Sequence, residues 1–240
     1  MSTQGECTLI HGTIIEDEIY SLEFDKTIPI TLYLPPCLDL QNNGNEKYAT
    51  LYLLHGVGGD ETQWINVGLA REMDAAIAAG NPPFIVVMPF LAELVRWPSD
   101  SNAAFFTEEL IPYIDSHNPT YTDRQYRAIG GLSRGATWAL RIGLSLSTSF
   151  GKIGLHSLPL YDDEVYFWTN ILEELSSAER PALFIDSGNN DIDLGSGRLL
   201  DSLLTQRKIS HTWHMFNGYH NEAYWSEHLP IYLEWYAQGW

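Results

Sequence analysis

Residues Gly131-Leu132-Ser133-Arg134-Gly135 read G-x-S-x-G. The run before them, Arg127 to Gly130, has the character of a short strand. The run after them, Ala136 to Leu146, has that of a helix. This spacing suits a serine on the sharp corner between a strand and a helix. The corner brings neighbouring backbone close, and glycine avoids the clash a Cβ would cause. The unit therefore demands a fold in which strand ends feed helix starts.

The rest of the chain supplies that alternation. Leu9–Ile15, Glu18–Phe24 and Ile28–Leu34 read as short β-prone stretches, and Pro35-Pro36 ends the third. An exposed loop is expected over Asp39–Lys47. Tyr48–Leu54 and Phe84–Met88 end or run as continuous apolar segments, as strands buried on both faces do. Helical spacing marks Val67–Ala79 and Phe105–His117, with Pro112 a source of a kink. Strand candidates at Ile153–His156, Ala182–Asp186 and Thr212–Phe216 alternate with helix candidates at Val165–Leu175, Gly197–Gln206 and Asn221–Tyr236. Alternation of this kind predicts an α/β fold: a mostly parallel sheet covered by helices, with an antiparallel edge from the first strands. A single domain over residues 1–240 is expected, because no linker interrupts the pattern.

The formal charge of -18 disfavours nucleic acid and anionic membrane surfaces as partners. No apolar run is long enough for a transmembrane helix. No basic segment followed by an apolar stretch opens the chain, so a cytoplasmic location is expected. The two cysteines, Cys7 and Cys37, are expected to be inert thiols rather than a bridge. The aromatic last helix offers either a buried face or a homodimer contact.

A serine needs an adjacent base to become a nucleophile. In a strand–serine–helix architecture the partners follow in the order acid, then histidine. Asp186-Ser187-Gly188-Asn189-Asn190-Asp191-Ile192-Asp193 follows a strand and offers three carboxylates. Asp186 sits at the strand end, where it can order the loop instead. Asp191 and Asp193 compete on spacing alone. His220 follows the last strand and precedes the last helix, and is the expected base. A second glycine cluster, His55-Gly56-Val57-Gly58-Gly59, follows the strand that ends at Leu54. The backbone amides of Val57 and Arg134 are the expected oxyanion donors. The cluster lacks the lysine and hydroxyl of a phosphate loop, so nucleotide binding is disfavoured. No metal or cofactor is required. Trp64, Arg96, Trp97, Tyr219 and Trp225 are candidate substrate contacts.

With these motifs in order, the chain resembles the putative-esterase branch of the α/β-hydrolases, with its esterase D-like and feruloyl esterase-like members. The resemblance rests on Tyr52–Gly59 with Trp64, on Glu108–Ile114, on Ile129–Gly135 and on Gly218-Tyr219-His220. It implies the α/β-hydrolase fold, with about eight mostly parallel strands flanked by helices and no large lid domain. It implies Ser133 as nucleophile and His220 as base. The family's glycine, two residues, then aspartate matches Gly188 to Asp191 and favours Asp191 as the acid. It implies a serine carboxylic-ester hydrolase acting on feruloyl or acetyl esters of small or oligosaccharide-linked substrates. Small-acyl or thioester hydrolysis of the S-formylglutathione hydrolase type, and acyl transfer, are the alternatives.

Overall fold

The structure is a computed structural model that describes residues 10–38, 46–91 and 100–240. Eight strands form one sheet in the order β1-β2-β4-β3-β5-β6-β7-β8. The strands are β1 Thr13–Ser21, β2 Lys26–Leu34, β3 Ala49–Leu54, β4 Phe84–Pro89, β5 Arg127–Leu132, β6 Lys152–His156, β7 Ala182–Gly188 and β8 Thr212–Phe216. β1 pairs antiparallel with β2, and β2 antiparallel with β4. Every pairing from β4 through β3 to β8 is parallel. The predicted mostly parallel sheet with an antiparallel edge is what forms.

The helices are α1 Gln63–Asn66, α2 Leu69–Ala78, α3 Asp100–Ala104, α4 Ile111–His117, α5 Arg134–Ser145, α6 Asp162–Glu174, α7 Leu194–Gln206 and α8 Glu222–Ala237. Alternate residues of each central strand serve opposite faces. Tyr52 and Leu54 of β3 join the core beneath α5, α6 and α7, whereas Leu51 and Leu53 join the core beneath α2 and α8. Burial on both faces explains why these strands read as continuous apolar runs.

Two expectations are corrected. Leu9–Ile15 and Glu18–Phe24 are not separate strands: one strand, β1, runs through Glu16-Asp17-Glu18. β1 is an edge strand with a largely exposed face, so acidic residues cost little there and discourage edge-to-edge pairing. Cys37 is disulfide-bonded rather than a free thiol, while Cys7 lies outside the described residues. The helix expected over Phe105–His117 does form, but with a π-helical turn at Phe105–Leu110 ahead of α4. Pro112 has no N–H and its ring clashes with a carbonyl four residues back, so a wider turn before it relieves the conflict.

The site is set by topology. β3 and β5 are neighbours, but the chain leaves β3 for β4 on one side and returns to β5 on the other. Crevices at such a reversal, beyond the carboxyl ends of the strands, are where open α/β sheets bind ligands. The loop after β3 and the corner after β5 both open there.

Candidate active site

Ser133 occupies the corner between β5 and α5 with φ 53° and ψ -126°. A non-glycine residue at positive φ is strained by about 1–3 kcal/mol. The surroundings impose it. The Ser133 N–H donates to the carbonyl of His156 at 2.8 Å, and the Ser133 carbonyl accepts from the Ala136 N–H at 2.9 Å. Both flanking glycines are sterically required. A Cβ on Gly131 would lie 2.2 Å from the carbonyl carbon of Gly135. One on Gly135 would lie 2.2 Å from the carbonyl oxygen of Leu54.

Three loops from three different strands bring together Ser133, His220 and Asp191. His220 Nε2 lies 2.8 Å from Ser133 Oγ, and its Nδ1 lies 2.9 Å from Asp191 Oδ1. The carboxylate accepts only, so Nδ1 carries the proton and Nε2 is left to accept from the serine. That tautomer can take a proton from the hydroxyl. The competitor Asp193 is at 3.5 Å from Nδ1, beyond hydrogen-bond range. Asp191 is held below the usual carboxylate range: burial raises it, but the His220 bond, the nearby Ser157 hydroxyl and the Asp193 amide outweigh burial. Its Oδ1 takes the His220 and Asp193 bonds, and its Oδ2 is buried with no hydrogen-bond partner among the described residues. Asp193 is shifted upward, first by burial. His220 is pulled down by burial but raised overall by the Asp191 bond and by the charges of Asp191 and Asp193.

The loop after β3 is a tight turn. The Gly59 N–H donates to the carbonyl of Gly56 at 3.2 Å, with Gly58 at φ 76°. Positive φ at the third turn position is the type II pattern that favours glycine. Such a turn leaves the amide of its second residue, Val57, unused. Gln63 fixes the loop by accepting from the Gly56 N–H at 2.8 Å and donating to Glu222 at 3.2 Å. His55 fixes it from below: its Nε2 accepts from the Leu91 N–H at 3.0 Å, so Nδ1 donates to the Gly56 carbonyl at 2.8 Å. Arg134 opens α5, where the first amides have no intrahelical acceptor. Among the described residues neither Val57 N–H nor Arg134 N–H has a hydrogen-bond acceptor.

The candidate substrate residues divide. Tyr219, beside His220, is 62% exposed and free to meet a ligand. Trp64 is not at the cleft: it is buried, and its indole donates to the Leu54 carbonyl at 3.1 Å. Trp225 is also buried; it donates to Ser157 Oγ at 3.0 Å and sets its ring against that of His220. Both fill the space under the site, because large rings near strand ends find more contact below the loops than above them. Arg96 and Trp97 lie outside the described residues. Ser157, which holds the Trp225 indole beside His220, carries no spacing signal in the sequence. Asp186, read as a residue that can order its loop, instead anchors a buried cluster with His156. Asp191, Asp193 and His220 are near enough to share a cation, with ligand atoms all within 4.8 Å. His220, however, already directs one nitrogen at Asp191 and the other at Ser133.

The chain matches the model of the family described as Putative esterase over residues 21–236. It belongs to that family. Over 164 residues the chain is 34% identical to an endo-1,4-beta-xylanase/feruloyl esterase of Xylanibacter ruminicola, covering 64% of this chain and 23% of that protein. It thus spans under a quarter of the length of that relative. It is 23% identical to an acetyl esterase of Caldicellulosiruptor saccharolyticus, over 94% of this chain and 98% of that protein. A solved ferulic acid esterase shares the fold with TM-score 0.82 and 23% identity, covering 95% of this chain and 98% of the other.

Proposed function

We propose that the protein hydrolyses feruloyl or acetyl esters of small or oligosaccharide-linked substrates through an acyl-enzyme on Ser133. The observation that carries this reading is the hydrogen-bonded line Ser133–His220–Asp191, with His220 in the accepting tautomer. His220 takes the Ser133 proton as Oγ attacks the ester carbonyl. Asp191 stabilises the imidazolium that forms. The amides of Val57 and Arg134 receive the oxyanion. His220 protonates the departing alcohol, and the same residue then activates the water that releases the acid. The loops that carry these residues also expose Val57, Ile192 and Tyr219. An apolar rim of this kind favours an aromatic acyl group over a charged one. The named relatives act on feruloyl and acetyl esters, and that supports the substrate class.

The cytoplasmic location expected from the sequence meets a counter-argument in the disulfide at Cys37. Reducing compartments keep thiols free, so the bridge favours an oxidising one. No described helix is long and apolar enough to cross a membrane. The predicted homodimer contact loses its main support, because Tyr224, Trp225, Tyr232 and Tyr236 of α8 are buried within the chain.

The test compares kcat/KM of wild type and Ser133→Ala on methyl ferulate, p-nitrophenyl acetate and S-formylglutathione. Turnover of methyl ferulate or the acetate, lost by at least about a thousandfold in the variant, is expected. An equally active variant overturns the serine mechanism. Turnover confined to S-formylglutathione overturns the substrate class, and transfer to an added alcohol in place of water would make the protein an acyltransferase.

A further inference from the structure

Behind the reacting residues lies a second histidine–carboxylate pair that is sealed from solvent. His156, the last residue of β6, and Asp186, its partner in register on β7, are both fully buried. His156 Nδ1 lies 2.7 Å from Asp186 Oδ1, and its Nε2 accepts from the Tyr236 hydroxyl at 3.2 Å. The other carboxylate oxygen, Oδ2, accepts from the hydroxyls of Tyr224 at 2.6 Å and Tyr232 at 2.7 Å. A buried charge is tolerated only when it is well bonded, and three donors meet that need. Burial and the Asp186 charge keep the Tyr224 phenol protonated, so it remains a donor. The cluster touches none of the reacting atoms.

It does hold their carriers. The His156 carbonyl accepts from the Ser133 N–H. Tyr224 grips both ends of the turn that bears His220. At one end its N–H donates to Asn221 Oδ1 at 3.0 Å, which caps α8. At the other its ring fills the space beside Gly218, where a Cβ would lie 2.6 Å from Tyr224 Cδ2. His220 lies between these two points. Tyr232 bonds the same carboxylate oxygen but sits two turns further along α8, away from that turn.

We propose that Tyr224 is a positioning residue for His220, its hydroxyl tying the histidine turn to the buried Asp186. The proposal rests on the serine-hydrolase reading above. A small displacement of a base from its nucleophile is costly to rate, because the proton transfer needs hydrogen-bond reach. Loss of this tether acts on kcat and leaves substrate binding alone.

Tyr224→Phe and Tyr232→Phe form a matched pair, each removing one phenol from Asp186 Oδ2. Both should lower Tm. Only Tyr224→Phe should lower kcat, by about ten- to a hundredfold with KM little changed. Its kcat/KM profile should also move its acid limb to lower pH, since a displaced His220 loses part of the Asp191 bond that raises it. If Tyr224→Phe does not fold, Asp186→Asn, which keeps the side-chain shape and weakens the phenol bonds, should show the same fall in kcat. Unchanged kcat in the folded variant, or equal kcat loss in both phenylalanine variants, overturns the proposal. Those results leave the hydrolase reading standing as long as Ser133→Ala is inactive. An active Ser133→Ala overturns both.

Discussion

At the scale of the residue, the proposed chemistry turns on the proton at His220. Burial alone would favour its neutral form, yet the Asp191 bond and the charges of Asp191 and Asp193 leave it raised above the ordinary 6.5. The base must be neutral to accept the serine proton. Activity therefore appears as pH rises through the raised His220 value, and the acid limb of kcat/KM lies above 6.5. Asp193 is not hydrogen-bonded to the ring but adds charge beside it. Asp193→Asn should thus move the acid limb to lower pH while leaving the plateau nearly intact, as a pH series of kcat/KM would read. A limb that stays in place would remove Asp193 from the electrostatics of the site. In stability the sign is the reverse. A histidine raised in the folded state stabilises below 6.5, and that contribution is lost as pH rises through the folded value.

At the scale of the element, the β5–Ser133–α5 unit works because two glycines let three backbones meet. Gly135 packs against the end of β3, where a methyl group would sit 2.2 Å from the Leu54 carbonyl oxygen. Backbone cannot step aside as a flexible side chain can. Gly135→Ala should therefore cost about 1–3 kcal/mol. It should also lower kcat, since relief of the clash tilts α5 and the Arg134 amide with it. Thermal melting and steady-state kinetics on one preparation would check both; a variant with wild-type Tm and kcat would show that the elbow has room to spare. This unit was legible in the sequence because its constraint is local: glycine, serine and glycine at fixed offsets between a strand and a helix. His220 was legible from its order after the last strand, whereas order alone left Asp191 and Asp193 level and only the family's glycine-to-aspartate spacing favoured Asp191. The burial of Trp64 and Trp225 was not, because it depends on which helices cover the sheet. The Asp186 cluster was hidden for the same reason: its members come from β6, β7 and α8, with 30 to 80 residues between bonded pairs. The single β1 strand was obscured by three consecutive acidic residues, which mark a loop in most contexts but suit an exposed edge.

At the scale of the whole molecule, buried phenols set the alkaline limit of the fold. Tyr52, Tyr232 and Tyr236 are fully enclosed, and burial holds each phenol above its ordinary value of 10; for Tyr232 and Tyr236 the Asp186 charge adds to it. A phenol raised in the folded state stabilises below pH 10, and the contribution is lost as pH rises beyond it, because the unfolded chain releases the proton first. Tyr33 and Tyr224 are raised in the same way, and each such group changes stability by about 1.4 kcal/mol per pH unit, so the five together give about 7 kcal/mol per unit. Lys152 acts oppositely in a lower window. Burial pushes it down to about 8, so the unfolded chain binds the extra proton between about 8 and 10.5, and this group's contribution rises with pH there. Above pH 10.5 Lys152 no longer contributes to the slope, and the phenols do. Against a total stability of about 5–15 kcal/mol, their slope should unfold the protein roughly one to two units above pH 10. Following tyrosinate absorbance and circular dichroism together from pH 8 to 13 tests this. The exposed phenols should titrate first, and the last ones should ionise in one step with loss of secondary structure. If all thirteen tyrosines titrated smoothly while the helices stayed intact, the enclosed phenols could not be the groups that hold α8 against the sheet.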